Sequence, residues 1–189
     1  MAGGRQIYLG KRSSGRGGRW VSFEDDPCLT QTRWNIYGRC VPCMEDLWQQ
    51  LDSTKSTIQP NEALNCWKVV VVLEDEEQCL ALLELFERNF LAGHAKVRGR
   101  YGDSTTGGLS QAVVFQTQDM NQRDRLKEEA ILCAQQVNAE AEIFFARACT
   151  NLYGEILGPW QEWKEVTPIR HPEKIEEVKE RIKRLLYHS

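Results

Sequence analysis

Cys40-Val41-Pro42-Cys43 sets two thiols three residues apart, with a proline suited to a first helical turn. A thiol at a helix N-terminus faces unpaired amides and the positive end of the helix dipole, which favour the thiolate that disulfide exchange requires. The same pair suits zinc, with Cys28 and Cys66 as the two further sulfur ligands of a four-coordinate site. Against both stands the plain reading of reduced, structural cysteines. A lone nucleophile at Cys149, next to Thr150 and Asn151, lacks a base, because His94, His171 and His188 are the only histidines and none is placed beside it by sequence.

A second set of residues points to anion binding. Lys96, Arg98 and Arg100 alternate, so a strand carries them on one face. The Gly102 to Gly108 segment that follows offers the hydroxyls of Ser104, Thr105 and Thr106 and the amides of Gly107 and Gly108 to a phosphate or another anionic small molecule. It is no Walker loop: Gly108 stands where lysine is required, and a strand follows instead of a helix. The bland alternative is a solvated sheet edge guarded by charge. Arg98-Gly99-Arg100-Tyr101-Gly102 resembles the basic-Gly-aromatic-Gly element of RNA-recognition modules, although Val69 to Val72 supplies no stacking ring. The C-x-x-C with its proline resembles the thioredoxin-type active-site frame, but the residues before it, Trp34 to Arg39, are not the strongly apolar strand expected there.

Composition bounds these readings. A chain of 189 residues with 41% hydrophobic and 27% charged residues is ordinary for a soluble globular protein, with no membrane-spanning run and no signal-peptide core. Seven cysteines, an odd number, favour reduced thiols in the cytoplasm over a disulfide framework. The net charge of -3 argues against wholesale nucleic-acid binding. Residues 1–20 are the exception: Arg5, Lys11, Arg12, Arg16 and Arg19 among many glycines predict a flexible basic arm, with a short strand at Ile7 to Leu9, able to grip phosphates without sequence preference.

The elements that must position these groups come from a repeated unit. A β-branched run at 69–73 precedes Asp75 and Gln78, a capping-box variant, and the apolar stripe Cys79, Leu82, Leu83, Phe86, Phe90; Gly93 is the expected left-handed cap. Gln111 to Thr117, Asp119 with Gln122, and Leu126, Ala130, Cys133, Ala134, Val137 repeat it, with Arg123, Arg125, Lys127, Glu128 and Glu129 on the wet face. Strands at 95–101 and 143–146 complete the order βαββαβ, which resembles the ferredoxin-like fold in topology. The expected chain is therefore α+β and one structural domain. It has the arm at 1–20, a Trp- and Cys-containing extension at 21–67, a ferredoxin-like sandwich at about 68–150, and a C-terminal helical extension at 151–189. The tryptophans all lie outside the repeat and are expected to cover the sheet or to form a homo-oligomer interface.

These observations predict an intracellular binding or regulatory module, oligomeric and without a membrane segment, that recognises an anionic small molecule or a protein. A zinc or thiol-redox protein built on Cys40 and Cys43 is the competing class, and non-specific nucleic-acid binding through the arm is the third. No reaction is specified by any of the motifs.

Overall fold

The structure, a computed structural model, describes residues 5–15, 18–27, 40–53, 56–94, 96–103, 110–117, 119–148 and 152–187. Strands β1 (Tyr8–Leu9), β2 (Ser13–Gly15) and β3 (Gly18–Glu24) come first, then α1 (Val41–Asp52) and β4 (Thr57–Ile58). The repeated unit follows as β5 (Trp67–Leu73), α2 (Glu76–Asn89), β6 (Arg98–Asp103), β7 (Gln111–Gln116), α3 (Met120–Val137) and β8 (Glu142–Arg147). A short α4 (Tyr153–Leu157), β9 (Thr167–Pro168) and α5 (Ile175–Tyr187) close the chain. The protein is thus α+β, and among the described residues no helix is long and apolar enough to cross a membrane.

Seven strands form one sheet in the order β1-β3-β6-β7-β5-β8, with β2 also paired to β3. Two compact units share the chain: one from residues 1–36 and 68–145, the other from 37–67 and 146–189. In the first unit, alternation along the strands sorts side chains by face. Val69, Val71, Leu73, Val113, Phe115, Val21, Phe23 and Tyr101 join Leu82, Phe86, Leu126 and Ala130 of α2 and α3 in one core. Val70, Ala112 and Val114 point the other way and cluster with Trp20, Val72 and Phe144. The second unit has its own core, in which Met44, Leu47 and Leu51 of α1 meet Ile58, Tyr153, Ile156, Trp163, Val178 and Ile182.

Both predicted helix starts are present. The Asp75 carboxylate accepts from the Gln78 amide at 2.8 Å, and Asp119 accepts from the Gln122 amide at 2.8 Å. Each bond satisfies one of the amides that a helix start leaves unpaired. Asp75→Ala is expected to cost about 1 kcal/mol of unfolding free energy, measured by urea denaturation, and Asp75→Asn much less.

Three expectations need correction. Residues 13–15 and 18–20 of the expected arm are strand, paired into the sheet together with 21–24, while the strand expected at 7–9 is present at 8–9. The alternation Trp20-Val21-Ser22-Phe23 buries Val21 and Phe23 while Trp20 and Ser22 stay half-buried. Gly93 does not adopt a left-handed conformation but sits in a 3-10 turn, Leu91–Gly93, where an added Cβ would lie 2.1 Å from Nη2 of Arg125. Arg123 and Glu129 are buried, not wet. The guanidinium of Arg123 lies 4.5 Å from the Phe145 ring, and Glu129 accepts from Arg125 at 3.0 Å and pairs with His94. The extensions at 37–67 and 146–189 share a hydrophobic core of their own, the core of the second compact unit.

Candidate functional site

The thiols at the start of α1 form the best-defined candidate. Cys40 is the N-cap residue of this 12-residue helix, and Pro42 lies in its first turn, where no acidic residue is present to neutralise the dipole. Cys40 is half-buried, whereas Cys43, one turn in, is 7% exposed on the face that carries Met44 and Leu47 into the core. Burial pushes the Cys43 thiol up to about 11, and the neighbouring Cys66 and Cys40 push in the same direction, followed by Glu62 and Asp46. None of Cys40, Cys43 and Cys66 is in a disulfide.

Local hydrogen bonds fasten the segment that leads to Cys66, 23 residues beyond Cys43 in sequence, along α1. Gln50 on α1 exchanges two bonds with Gln59, donating to its carbonyl at 2.9 Å and accepting from its amide at 2.7 Å. Asp46, also on α1, accepts from Asn61 at 2.9 Å. These bonds lay the 3-10 turn Asn61–Leu64 along α1, and Leu64 packs in the same cluster as Cys40 and Val41. Cys66 follows two residues later, its carbonyl accepting from the Ala148 amide at 3.1 Å. On the buried side, the Tyr153 hydroxyl donates to the Cys43 carbonyl at 3.1 Å and fixes the first turn of α1 from α4.

Of the four cysteines proposed as zinc ligands, Cys40, Cys43 and Cys66 lie in the second unit, while Cys28 lies outside the described residues. Among the described residues, however, no group of three or more His, Cys, Asp or Glu side chains is arranged to hold a metal ion. The thiols present do not fit a preformed zinc site, and no chemistry is built on one below. Cys79 and Cys133 are different again: buried in the first unit's core, their thiols are pushed up by burial to about 12 and about 11, and they act as small apolar side chains.

The predicted anion site has a less favourable geometry. Ser104, Thr105, Thr106, Gly107 and Gly108 lie outside the described residues. Lys96 precedes β6 and is exposed, while Arg98 and Arg100 alternate along the strand as expected. Arg98, 6% exposed, stands directly opposite the buried Glu24 of β3. The Arg100 guanidinium lies 4.3 Å from the Trp20 ring centre, and its buried Nε has no hydrogen-bond partner among the described residues. At the end of β6 nearest the loop stands an acid: Asp103 accepts from the Arg19 amide at 2.8 Å and from Gln111 at 2.9 Å, bonds that hold it below the usual carboxylate range. Two arm cations are likewise engaged within the unit, Arg5 with Asp25 and Arg12 with Glu76.

Of the remaining candidates, Cys149 and His188 lie outside the described residues. His94 is buried against Glu129 and Phe86. His171 helps line an open cavity of about 340 Å³ with Glu155, Lys174, Glu177 and Arg181. Arg181 pairs there with Glu155 at 2.5 Å and with Glu177 at 3.3 Å, and Lys174 pairs with Glu177 at 3.2 Å, so the lining charges answer one another. Sequence reasoning did not anticipate Tyr153, which had no motif to mark it. Compared with known proteins, the chain matches no family model, no curated protein and no solved structure.

Proposed function

We propose that this chain is a thiol–disulfide exchange protein in which Cys40 attacks and Cys43 resolves. The observation that carries the reading is the asymmetry of the pair on one helix turn. Cys40 is half-buried at the N-cap of α1, and Cys43 is buried with a thiol that stays protonated at neutral pH. Exchange needs that division of labour, because the attacking sulfur must be a reachable thiolate and the second sulfur must wait.

The chemistry is as follows. The Cys40 thiolate attacks one sulfur of a substrate disulfide, forming a mixed disulfide and expelling a substrate thiolate. That thiolate takes up the Cys43 proton. The resulting Cys43 thiolate attacks Cys40 sulfur, and the second substrate thiolate leaves, taking a proton from water. The substrate is reduced to a dithiol as Cys40 and Cys43 are oxidised to a disulfide. A reducing compartment such as the cytoplasm suits this direction.

The strand order β6-β7-β5-β8, with α2 and α3 against one face, supports a ferredoxin-like reading of the first unit. The anion-binding reading has less behind it, since Arg98 faces Glu24 and Arg100 lies over Trp20.

The test is site-resolved alkylation with iodoacetamide at pH 7, followed by an insulin-reduction assay driven by dithiothreitol. Cys40 is expected to react roughly tenfold faster than an ordinary exposed thiol, with Cys43 protected, and Cys40→Ser is expected to lose the insulin-reducing activity. Alkylation of Cys40 at the ordinary rate, or full activity in Cys40→Ser, would refute the reading.

A further inference from the structure

We infer that Tyr153 is the positioning residue of the exchange pair: its hydroxyl, reaching from α4, holds the first turn of α1 so that Cys43 stands ready to close on Cys40. The inference rests on the exchange reading above and adds to it a group that acts through the Cys43 backbone.

Tyr153 is 1% exposed, and its hydroxyl donates to the Cys43 carbonyl at 3.1 Å from 110 residues further along the chain. A buried hydroxyl is costly to leave unpaired, so the folded unit keeps this bond. The ring packs on Trp163, with centroids 5.8 Å apart, and shares a core with Met44, Leu47 and Ile156. The start of α1 has need of such a hold. Asp75 and Asp119 cap α2 and α3, whereas among the described residues no side chain caps α1. The Met44 amide donates to the Cys40 carbonyl at 2.8 Å and closes the turn, and Tyr153 fixes its Cys43 end. A carbonyl oxygen has two lone pairs, so the tyrosine adds to the helical bond of Cys43 without displacing it.

The consequence lies in the resolving step. Cys43, having passed its proton to the departed substrate thiolate, attacks Cys40 sulfur. The Cys40–Cys43 bond forms, the Cys40–substrate bond breaks, and the second substrate thiolate leaves. How far this ring closure is favoured depends on the effective concentration of one sulfur at the other, which is higher when the turn is ordered beforehand. Without the hydroxyl, closing the disulfide must also order the turn, and the dithiol is favoured.

The experiment equilibrates the full chain with reduced and oxidised glutathione at pH 7. The protein dithiol and glutathione disulfide there give the protein disulfide and two reduced glutathiones. The Cys40–Cys43 disulfide is quantified by acid quench, alkylation and mass spectrometry. Tyr153→Phe, which keeps the ring and loses the hydroxyl, is expected to lower the equilibrium constant for disulfide formation about fivefold, the factor that one net hydrogen bond is worth. Tyr153→3-fluorotyrosine, a stronger donor, is expected to raise it. Trp163→Phe, which disturbs the same core and keeps the hydroxyl, should leave it unchanged. An unchanged constant in Tyr153→Phe, or an equal fall in Trp163→Phe, overturns the positioning role and leaves the exchange reading standing. Absence from wild type of both a Cys40–Cys43 disulfide and a glutathione adduct on Cys40 overturns the exchange reading itself. Where Tyr153→Phe does not match wild type in far-UV circular dichroism, the fluorotyrosine chain decides, and no rise in its constant overturns the positioning role.

Discussion

Phe115→Ala is expected to lower unfolding stability by roughly 3–5 kcal/mol, the largest loss for any single side chain of the first unit. Phe115 is fully buried near the C-terminal end of β7, a strand inside the sheet. Its ring meets Phe23 edge-on, with centroids 5.4 Å apart, and Phe86 of α2 at 5.1 Å. It therefore joins the added N-terminal strand, the middle of the sheet and the covering helix. Removing it deletes the transfer free energy of a large ring and leaves a cavity among side chains held by three different elements, which cannot all close inward together. Phe115→Leu should recover more than half of the loss. Urea denaturation measures both, and a loss below about 1 kcal/mol would mean that the core closes over the gap, in conflict with the packing described.

Gly99→Ala is the second large effect, at about 3 kcal/mol, the upper end of the range for overpacking. Gly99 lies between two phenylalanines, paired to Phe23 in β3 and to Phe115 in β7. A Cβ there would sit 2.1 Å from the Val114 carbonyl oxygen and 2.6 Å from Cζ of Phe23. Neither neighbour can move freely, since one is sheet backbone and the other a fully buried ring. The Phe23–Phe115 contact thus depends on the missing side chain between them. Gly93 gives the matched comparison, because a Cβ there meets only the tip of the Arg125 side chain, which can swing away. Equal losses in Gly93→Ala and Gly99→Ala would show that the rings, not the glycine, are free to adjust.

How legible the molecule was in its sequence depended on the range of each interaction. Asp75 with Gln78, and Asp119 with Gln122, announced their helices because a cap acts over three residues and needs nothing else. The run at 69–73 announced a central strand because both of its faces are covered. Strand β3 was missed because it starts among glycines and arginines and its main partner is β6, 74 residues later in its Glu24–Arg98 register. Arg123 and Glu129 were misassigned because helical spacing reports where a side chain points, not whether a phenylalanine or a histidine waits there. At the candidate site, the helix start and the placement of Cys40 and Cys43 were local and readable. The course of the segment before Cys66 depends on Gln50 with Gln59 and on Asp46 with Asn61, side-chain bonds that no spacing rule encodes.

The second unit is assembled from two stretches, 37–67 and 146–189, with the sheet-bearing stretch 68–145 between them. During synthesis α1 therefore leaves the ribosome about a hundred residues before Tyr153, Ile156, Val178 and Ile182, the side chains that cover it. Until then Leu47 and Cys43 have no core to enter, and both thiols of the C-x-x-C are equally open to oxidants or to a chaperone. The nascent chain thus passes through an interval in which its sulfur chemistry is unprotected, and that interval ends only when translation reaches the C-terminal helix.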